Sequence, residues 1–224
     1  MQNLSLNHSQ SLVATSILAC DFSQLGAEIQ RVTTAGSDWI HCDVMDGHFV
    51  NNISFGSAFV QAASCHTSLP LDIHLMIDHP DHYLDRFLPL SHSITSHVEA
   101  PHPVSHTLAR VREAGRLAGL ALNPETPLEQ ISPYIGKFDI LLIMTVHPGF
   151  GGQAFIPKVL EKIRQAVQLR SQEGLSFHIE VDGGITPETA AVCRSAGANV
   201  FVAGTAIFKA NDSSVAIREI RGEQ

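Results

Sequence analysis

The sequence predicts an α/β fold built as a single (β/α)8 TIM barrel, and two observations carry this prediction. Short apolar runs alternate along the chain with longer segments of helical period, which is the pattern of successive β/α units. Polar residues gather at the carboxyl ends of the predicted strands, where the catalytic groups of such barrels lie. An open, doubly wound sheet is the alternative, because periodicity does not show whether a sheet closes.

The elements follow one another without any linker or low-complexity segment. Eight strands are predicted at residues 13–18, 39–44, 71–76, 94–98, 118–122, 140–146, 177–181 and 200–203. Eight helices are predicted near residues 23–35, 58–64, 80–87, 103–114, 127–134, 157–173, 187–196 and 213–221. Several of these helices carry proline in the first turn and glycine just beyond the end, which are the usual boundary signals. We predict one barrel domain over residues 13–224, preceded by a short polar extension over residues 1–12.

The composition is that of a globular protein with a substantial core. Of 224 residues, 44% are hydrophobic and 16% are charged. The formal net charge of −8 argues against a general nucleic-acid or anionic-membrane binder, although local dipoles can still hold an anionic substrate. No apolar run is long enough to cross a bilayer, and the four cysteines show no CxxC spacing. We therefore expect a cytoplasmic protein with free thiols and no signal peptide.

Residues 41–48 contain the first candidate site. His41 and Asp43 share one face of a predicted strand, because side chains alternate along a strand. His74 lies on the third predicted strand and Asp182 follows the seventh, so two imidazoles and two carboxylates would converge on one barrel mouth. This mixed set of nitrogen and oxygen donors suits Zn²⁺, Fe²⁺, Mn²⁺ or Co²⁺, and the spacing does not choose among them.

Other interpretations of these polar residues stay open from the sequence. His97 and Glu99 also share a strand face, and spacing alone does not rank this pair against the first set. Asp43 could instead be a catalytic base that His41 orients, or the polar face of the strand could simply meet water. For Asp72 we expect a hydrogen-bonded structural role, one layer deeper than the candidate site.

Three glycine-rich turns follow the last three predicted strands, at residues 147–153, 182–185 and 203–206. Backbone N–H groups in such turns bind phosphate without a cationic side chain. The loops after strands seven and eight are the usual phosphate location in this architecture. None of the four lysines lies on a predicted strand, so a Schiff-base mechanism has no obvious nucleophile. We expect backbone dipoles to hold any bound phosphate.

Several blocks of the chain together resemble the ribulose-phosphate 3-epimerase family of metal-dependent (β/α)8 barrels. The most specific are DVMDGHFV at 43–50, PGFGGQ at 148–153 and VDGG at 181–184, and the resemblance covers nearly everything after Leu12. It implies epimerisation at carbon 3 of a ketopentose phosphate, which interconverts D-ribulose 5-phosphate and D-xylulose 5-phosphate in the pentose phosphate pathway. It also implies a homo-oligomer.

The resemblance further implies roles for individual residues. One divalent ion would be bound by His41, Asp43, His74 and Asp182. Asp43 and Asp182 would be the acid/base pair that moves protons on opposite faces of an enediolate. The residues implied to contact the phosphorylated ketose are Ser16, His74, Gly149, Phe150, Gly151, Gly152, Asp182, Gly183, Gly184, Gly204 and Thr205.

The sequence departs from the usual family pattern at a few positions. Thr15, Asn51 and Ser57 stand where the family usually has proline. His147 replaces a usual asparagine, and Thr205 replaces a usual serine. None of these changes removes a metal-binding or proton-transfer group, but those around the loops bear on loop rigidity and substrate preference.

Two rival functions accompany the main one. D-allulose-6-phosphate 3-epimerase performs the same chemistry on a six-carbon sugar, and residues 123–127 and 144–146 slightly favour it. Residues 16–18, 183–185 and 206–208 favour the pentose enzyme instead. A non-catalytic sugar-phosphate-binding barrel is disfavoured, because every implied ligand and proton-transfer group is present. A lyase or decarboxylase on a similar barrel would be expected to show an Asp-x-Lys-x-x-Asp motif, which the sequence lacks.

Overall fold

Eight parallel strands close into one barrel in the computed structural model, which describes residues 7–223. The strands pair in chain order, and the last pairs with the first, so the barrel has no open edge. They are β1 (Leu12–Ser16), β2 (Trp39–Met45), β3 (Leu71–Met76), β4 (Ser93–His97), β5 (Leu117–Leu122), β6 (Ile140–Met144), β7 (His178–Asp182) and β8 (Val200–Ala203). The predicted fold class is confirmed, and the open sheet is excluded.

Helices follow the strands and cover the outside of the barrel. They are α1 (Leu25–Thr34), α2 (Ser57–Ser64), α3 (Leu84–Phe87), α4 (Val104–Glu113), α5 (Val159–Gln172), α6 (Pro187–Ala196), α7 (Thr205–Phe208) and α8 (Ser213–Arg221). Their apolar faces pack against the outward-facing strand residues in one large hydrophobic cluster. Within residues 7–223, no helix combines the length and the apolar character needed to cross a membrane.

The largest difference from the predicted elements lies between β5 and β6. The helix expected at 127–134 is a 3-10 helix at Leu128–Tyr134, and it contains Pro133, whose missing N–H is incompatible with a continuous α-helical ladder. The short α7 was not predicted, because it begins directly after Gly204 and spans a single turn.

The amino-terminal boundary differs by one residue. β1 begins at Leu12, which is in register with Val200 of β8, rather than at residue 13. The strand also ends early, since the side chain of Ser16 accepts the N–H of Leu18 and caps a short 3-10 helix. Residues 1–6 of the predicted extension lie outside the described residues, so the division into an extension and a barrel domain stays a prediction.

The barrel interior is layered along its axis. At the amino ends of the strands, an apolar plug is formed by Ala14, Trp39, Leu117, Ile140, Val200 and Val202. Above it, the inward-facing side chains of β2, β3, β4 and β7 are polar. Those of β5 and β6 are apolar, and Gly119 of β5 has no side chain. An added Cβ at Gly119 would lie 1.9 Å from Thr95 Oγ1, so the strands approach closely there. The interior polar groups therefore collect on one side of the barrel.

Candidate active site

Four side chains converge at the carboxyl end of the barrel. The parallel register sets Asp43 of β2 beside His74 of β3, while Asp182 ends β7 across the barrel mouth. One ligand atom from each of His41, Asp43, His74 and Asp182 lies within 4.8 Å of the other three. His41 Nε2 is 3.2 Å from Asp43 Oδ1, and His74 Nδ1 is 3.4 Å from that same oxygen and 3.6 Å from Asp182 Oδ2. The sequence-predicted set is therefore brought together in space.

Two imidazole nitrogens of this cluster point towards the carboxylates and lack hydrogen-bond partners within residues 7–223. Among the described residues, His41 Nε2 and His74 Nδ1 are buried and have no hydrogen-bond partner. A buried polar atom without a partner is destabilising, so both nitrogens are suited to a ligand that accepts their lone pairs. Two imidazoles and two carboxylates around one point fit a divalent first-row ion.

The cluster is electrically biased towards binding a cation. Burial alone would raise the pKa of Asp43, but His41 and His74 hold that pKa well below its usual range. Burial alone would lower the pKa of His41, but the carboxylates of Asp43 and Asp72 raise it well above its usual value. Protons and a cation therefore compete for His41 Nε2, and metal binding there should release protons.

His41 is oriented from behind by a buried carboxylate pair. Its Nδ1 lies 2.6 Å from Asp72 Oδ2, and Ser93 Oγ donates to Asp72 Oδ1 at 2.5 Å. Glu180 lies on the other side, with Oε1 3.7 Å from His41 Nδ1. Burial and the neighbouring Asp72 raise the pKa of Glu180 well above its usual value. Asp72 thus has the hydrogen-bonded role that we expected, and it turns Nε2 of His41 towards the cluster.

Glu180 is a site residue that the sequence interpretation missed. It lies two positions before Asp182 on β7, so strand alternation turns both side chains into the barrel. That spacing was the available signal, and it matches the His41 and Asp43 spacing on β2.

The rival pair at the end of β4 and in the turn that follows it lies behind the cluster rather than within it. Among residues 7–223, the groups close enough to share an ion do not include His97 or Glu99. Instead, His97 Nε2 lies 2.8 Å from His74 Nε2, and His97 Nδ1 lies 3.1 Å from Glu99 Oε2. The ring of Phe49 packs on His97 with 4.7 Å between centroids.

A cavity of about 400 Å³ opens directly above the cluster. Asp43 and Asp182 line it, whereas His41 and His74 are fully buried beneath its floor. Ser16 also lines it, and its Oγ donates to Asp43 Oδ2 at 2.6 Å. The apolar part of the wall includes the methionines Met45, Met76 and Met144. The two carboxylates are therefore the ionisable groups of the cluster that face the cavity.

Glycine-rich turns form the opposite wall of the same cavity. The turn residues that line it are Gly149, Phe150, Gly151, Gly152, Gly183, Gly184, Gly204 and Thr205. Gly183 and Gly184 have φ values of +114° and +64°, which L side chains rarely adopt. A Cβ on Gly184 would lie 2.8 Å from the backbone nitrogen of Phe155. These turns thus require glycine and present backbone to the cavity.

Two contacts tie the loops around the mouth together. Asn52 Nδ2 donates to the carbonyl of Gly149 at 2.6 Å, which joins the loop after β2 to the turn after β6. His147 Nε2 lies 3.4 Å from Glu125 Oε1, and both side chains are largely exposed. His147 faces solvent rather than the cluster.

Comparison with known proteins gives a consistent result for sequence and fold. The sequence profile described as the ribulose-phosphate 3 epimerase family matches residues 12–208. A ribulose-phosphate 3-epimerase of Bacillus subtilis (strain 168) is 47% identical over 214 residues, which cover 95% of this chain and 99% of the relative. One from Synechocystis is 48% identical over 217 residues, covering 95% and 94%. The Arabidopsis thaliana protein named as the chloroplastic ribulose-5-phosphate-3-epimerase is 42% identical, covering 96% of this chain and 78% of that one.

Solved structures with low sequence identity share the fold. A chain of Mycobacterium tuberculosis tryptophan synthase superposes with a TM-score of 0.67 at 13% identity, covering 96% of this chain and 93% of that one. A 3-hexulose-6-phosphate synthase gives 0.62 at 18% identity, covering 95% and 99%. At such identities the likeness bears on the barrel architecture alone.

Proposed function

The chain belongs to the ribulose-phosphate 3-epimerase family and is an epimerase of pentose phosphates, and we propose that it works by a metal-dependent, two-aspartate mechanism. The reaction proposed is the interconversion of D-ribulose 5-phosphate and D-xylulose 5-phosphate, a step of the pentose phosphate pathway. One observation carries the mechanism: two unpartnered buried imidazole nitrogens face two carboxylates that line the cavity.

The proposed ligands of the ion are His41, Asp43, His74 and Asp182, which supply two nitrogen and two oxygen donors. Zn²⁺, Fe²⁺, Mn²⁺ and Co²⁺ all accept such a set. When bound, the ion would act as a Lewis acid that stabilises negative charge developing on the substrate oxygens.

Asp43 and Asp182 are proposed to carry the protons. Inversion at carbon 3 removes a proton from one face of the sugar and returns one to the other face, through a planar enediolate. Two carboxylates from β2 and β7 can stand on opposite faces of that plane, one ionised and one protonated. Ser16 Oγ, by donating to Asp43, orients this carboxylate for the transfer. The methionine side chains exclude water from the reacting carbon.

The substrate would lie between the carboxylates and the glycine-rich wall. Its phosphate is proposed to meet backbone N–H groups of the turns after β6, β7 and β8. The proposed substrate contacts are Ser16, His74, Gly149, Phe150, Gly151, Gly152, Asp182, Gly183, Gly184, Gly204 and Thr205. Since His74 is buried below the cavity floor, its proposed contact is limited to substrate oxygens at that floor.

The decisive experiment is an epimerase assay of the purified protein with D-ribulose 5-phosphate, before and after exhaustive chelation. We expect turnover to be lost when metal is removed and to return on adding one of the four candidate ions. Full activity in protein that metal analysis finds free of metal would refute the metal-dependent mechanism.

The same assay separates the rival functions. A higher kcat/KM for D-allulose 6-phosphate than for D-ribulose 5-phosphate would assign the chain to the six-carbon reaction. Binding of the pentose phosphate without turnover in metal-replete protein would indicate a non-catalytic sugar-phosphate barrel. We expect turnover rather than binding alone, because both proton-transfer carboxylates line the cavity. We expect the pentose phosphate to be preferred, because the similar relatives are named ribulose-phosphate 3-epimerases.

The cellular setting is also a proposal. We infer a cytoplasmic homo-oligomer with no nucleic-acid or membrane partner. All four cysteines lie in the described part of the chain and are unpaired, which is typical of a reducing compartment. The net charge of −8 disfavours binding to other polyanions.

A further inference from the structure

A chain of hydrogen bonds leads away from the candidate metal site through β4. It runs from His74 to His97 and then to Glu99, with nitrogen–nitrogen and nitrogen–oxygen distances of 2.8 and 3.1 Å. Resting on the metal-dependent function above, we propose that Glu99 is a positioning residue. Acting through His97, it holds His74 in the tautomer whose Nδ1 bears a lone pair towards the ion.

The hydrogen bonds from His74 to Glu99 allow one arrangement of the ring N–H hydrogens. An ionised Glu99 can only accept, so His97 Nδ1 must be the donor. A neutral His97 then has a lone pair on Nε2, and this nitrogen must accept from His74 Nε2. His74, also neutral when it binds metal, is left with a bare Nδ1. That atom is the unpartnered nitrogen facing Asp43 and Asp182.

The protonation states that this arrangement requires have a geometric basis. His74 Nε2 and His97 Nε2 are 2.8 Å apart, so only one of these two nitrogens can carry the hydrogen between them, and the two rings cannot both be fully protonated.

Glu99 is itself held by a second donor. The backbone N–H of Asn123, just after β5, donates to Glu99 Oε1 at 2.8 Å, so each carboxylate oxygen accepts one N–H. A backbone N–H cannot reverse its role, so it dictates that Oε1 accepts. The two candidate metal-binding imidazoles are thus both backed by carboxylates: His41 directly by Asp72, and His74 through His97.

Replacing Glu99 by glutamine tests this arrangement, because an amide has one acceptor atom for two N–H donors. If the amide oxygen keeps the N–H of Asn123, its NH₂ group faces His97 Nδ1. That nitrogen must then accept, and His97 Nε2 becomes the donor. His74 Nε2 must accept in turn, and the displaced hydrogen lies on His74 Nδ1, where it blocks metal binding. We expect Glu99→Gln to weaken metal binding by about 10- to 100-fold, as for other partners of metal-bound histidine.

Glu125→Gln is the matched control. Glu99 and Glu125 line the same surface cleft, so each substitution removes one negative charge from that cleft. Glu125 lies near His147 and is 68% exposed, and the hydrogen bonds that join His74, His97 and Glu99 do not include it. We expect its variant to keep wild-type metal affinity.

The measurements are metal titrations of the apoprotein against a competing chelator, and NMR of labelled histidine nitrogens in the apo and Zn²⁺-loaded protein. We expect wild-type His74 to carry hydrogen on Nε2, and Glu99→Gln to move it to Nδ1. Unchanged metal affinity and tautomer in Glu99→Gln, or equal loss in both glutamine variants, would overturn the proposal. So would a wild-type His74 protonated on Nδ1 in the metal-loaded protein, even if Glu99→Gln does not fold.

These outcomes are separable from those of the epimerase assay, since neither measurement uses substrate. A wild-type protein that binds metal with the expected tautomer but does not turn over pentose phosphate would refute the function and leave the role of Glu99 intact. With an active wild type, the tautomer and affinity results decide on Glu99 alone.

Discussion

At the scale of single residues, Asp43 is proposed both to bind the ion and to take the proton, and these roles oppose each other. His41 and His74 already hold the pKa of this carboxyl low despite its burial, and Ser16 donates to one of its oxygens. A bound cation would lower its basicity further. The proton transfer can proceed only if substrate acidity increases by more than the basicity of Asp43 decreases.

Asp43→Asn and Asp182→Asn should each lower kcat by at least about 10³-fold, because an amide cannot exchange a proton in this reaction. Steady-state kinetics with D-ribulose 5-phosphate would measure the loss, and thermal unfolding would show that the barrel persists. Asp85→Asn is the control, since this side chain is 83% exposed and lies on α3 away from the cavity. Wild-type kcat in either cavity variant would refute the role assigned to that aspartate.

At the scale of elements, the turn after β7 is constrained by backbone rather than side chains. Gly184 combines a φ of +64° with close backbone neighbours, since a Cβ added there would lie 2.8 Å from Phe155 and 2.9 Å from Gln153. A side chain there forces the turn after β6 away from the turn after β7. The two turns that would share the phosphate are therefore coupled.

Gly184→Ala should raise KM for the sugar phosphate by about 10-fold or more, because displaced N–H groups lose charge-assisted hydrogen bonds that are each worth about 1.5–3 kcal/mol. The expected effect falls mainly on KM and less on kcat, since Asp43 and Asp182 keep their places. Gly56→Ala is the control, because its Cβ would meet nothing within 4 Å. An unchanged KM in Gly184→Ala would argue against phosphate binding at this turn.

The elements also show what the sequence could and could not predict. Alternation on β2 and β3 correctly grouped His41, Asp43 and His74, since a two-residue period survives small errors in strand ends. It could not separate the proposed ligands from the residues behind them, because His97 and Glu99 are also two positions apart. Only the barrel register sets one pair at the cluster and the other behind it. The helix expected over 127–134 is present, but as a 3-10 helix that contains Pro133.

At the scale of the whole molecule, the two ends of the barrel serve different purposes. The amino end is closed by the apolar plug and by His178, whose ring packs edge-on against Trp39 at 5.7 Å. Asn199 Oδ1 accepts the N–H of Ile179, so its NH₂ group must donate to His178 Nδ1 at 2.7 Å. A ring that accepts at Nδ1 is neutral. Its burial lowers the pKa of His178 to about 4.

This histidine should make the fold sensitive to acid. The ordinary pKa of 6.5 applies in the unfolded chain and about 4 in the folded one, so the unfolded state binds more protons between these values. The contribution of His178 to the free energy of unfolding is therefore fully present above about pH 6.5. It is lost as pH drops towards 4, and the loss is on the order of 3 kcal/mol. Urea unfolding of wild type and His178→Gln across this range should show a shallower pH slope in the variant. The exposed His106→Gln is the control, and an equal slope in wild type and His178→Gln would contradict the prediction.

The order in which the barrel closes has a consequence for protein synthesis. His41, Asp43 and His74 come early in the chain, whereas Asp182 and the turns after β7 and β8 come late. One edge of β1 also stays unpaired until β8 has been synthesised, because β1 pairs with β8. A nascent polypeptide at the ribosome would thus contain three of the four proposed ligands before the cavity has formed. The enzyme would begin to interconvert sugar phosphates only after β8 and its turn have left the exit tunnel.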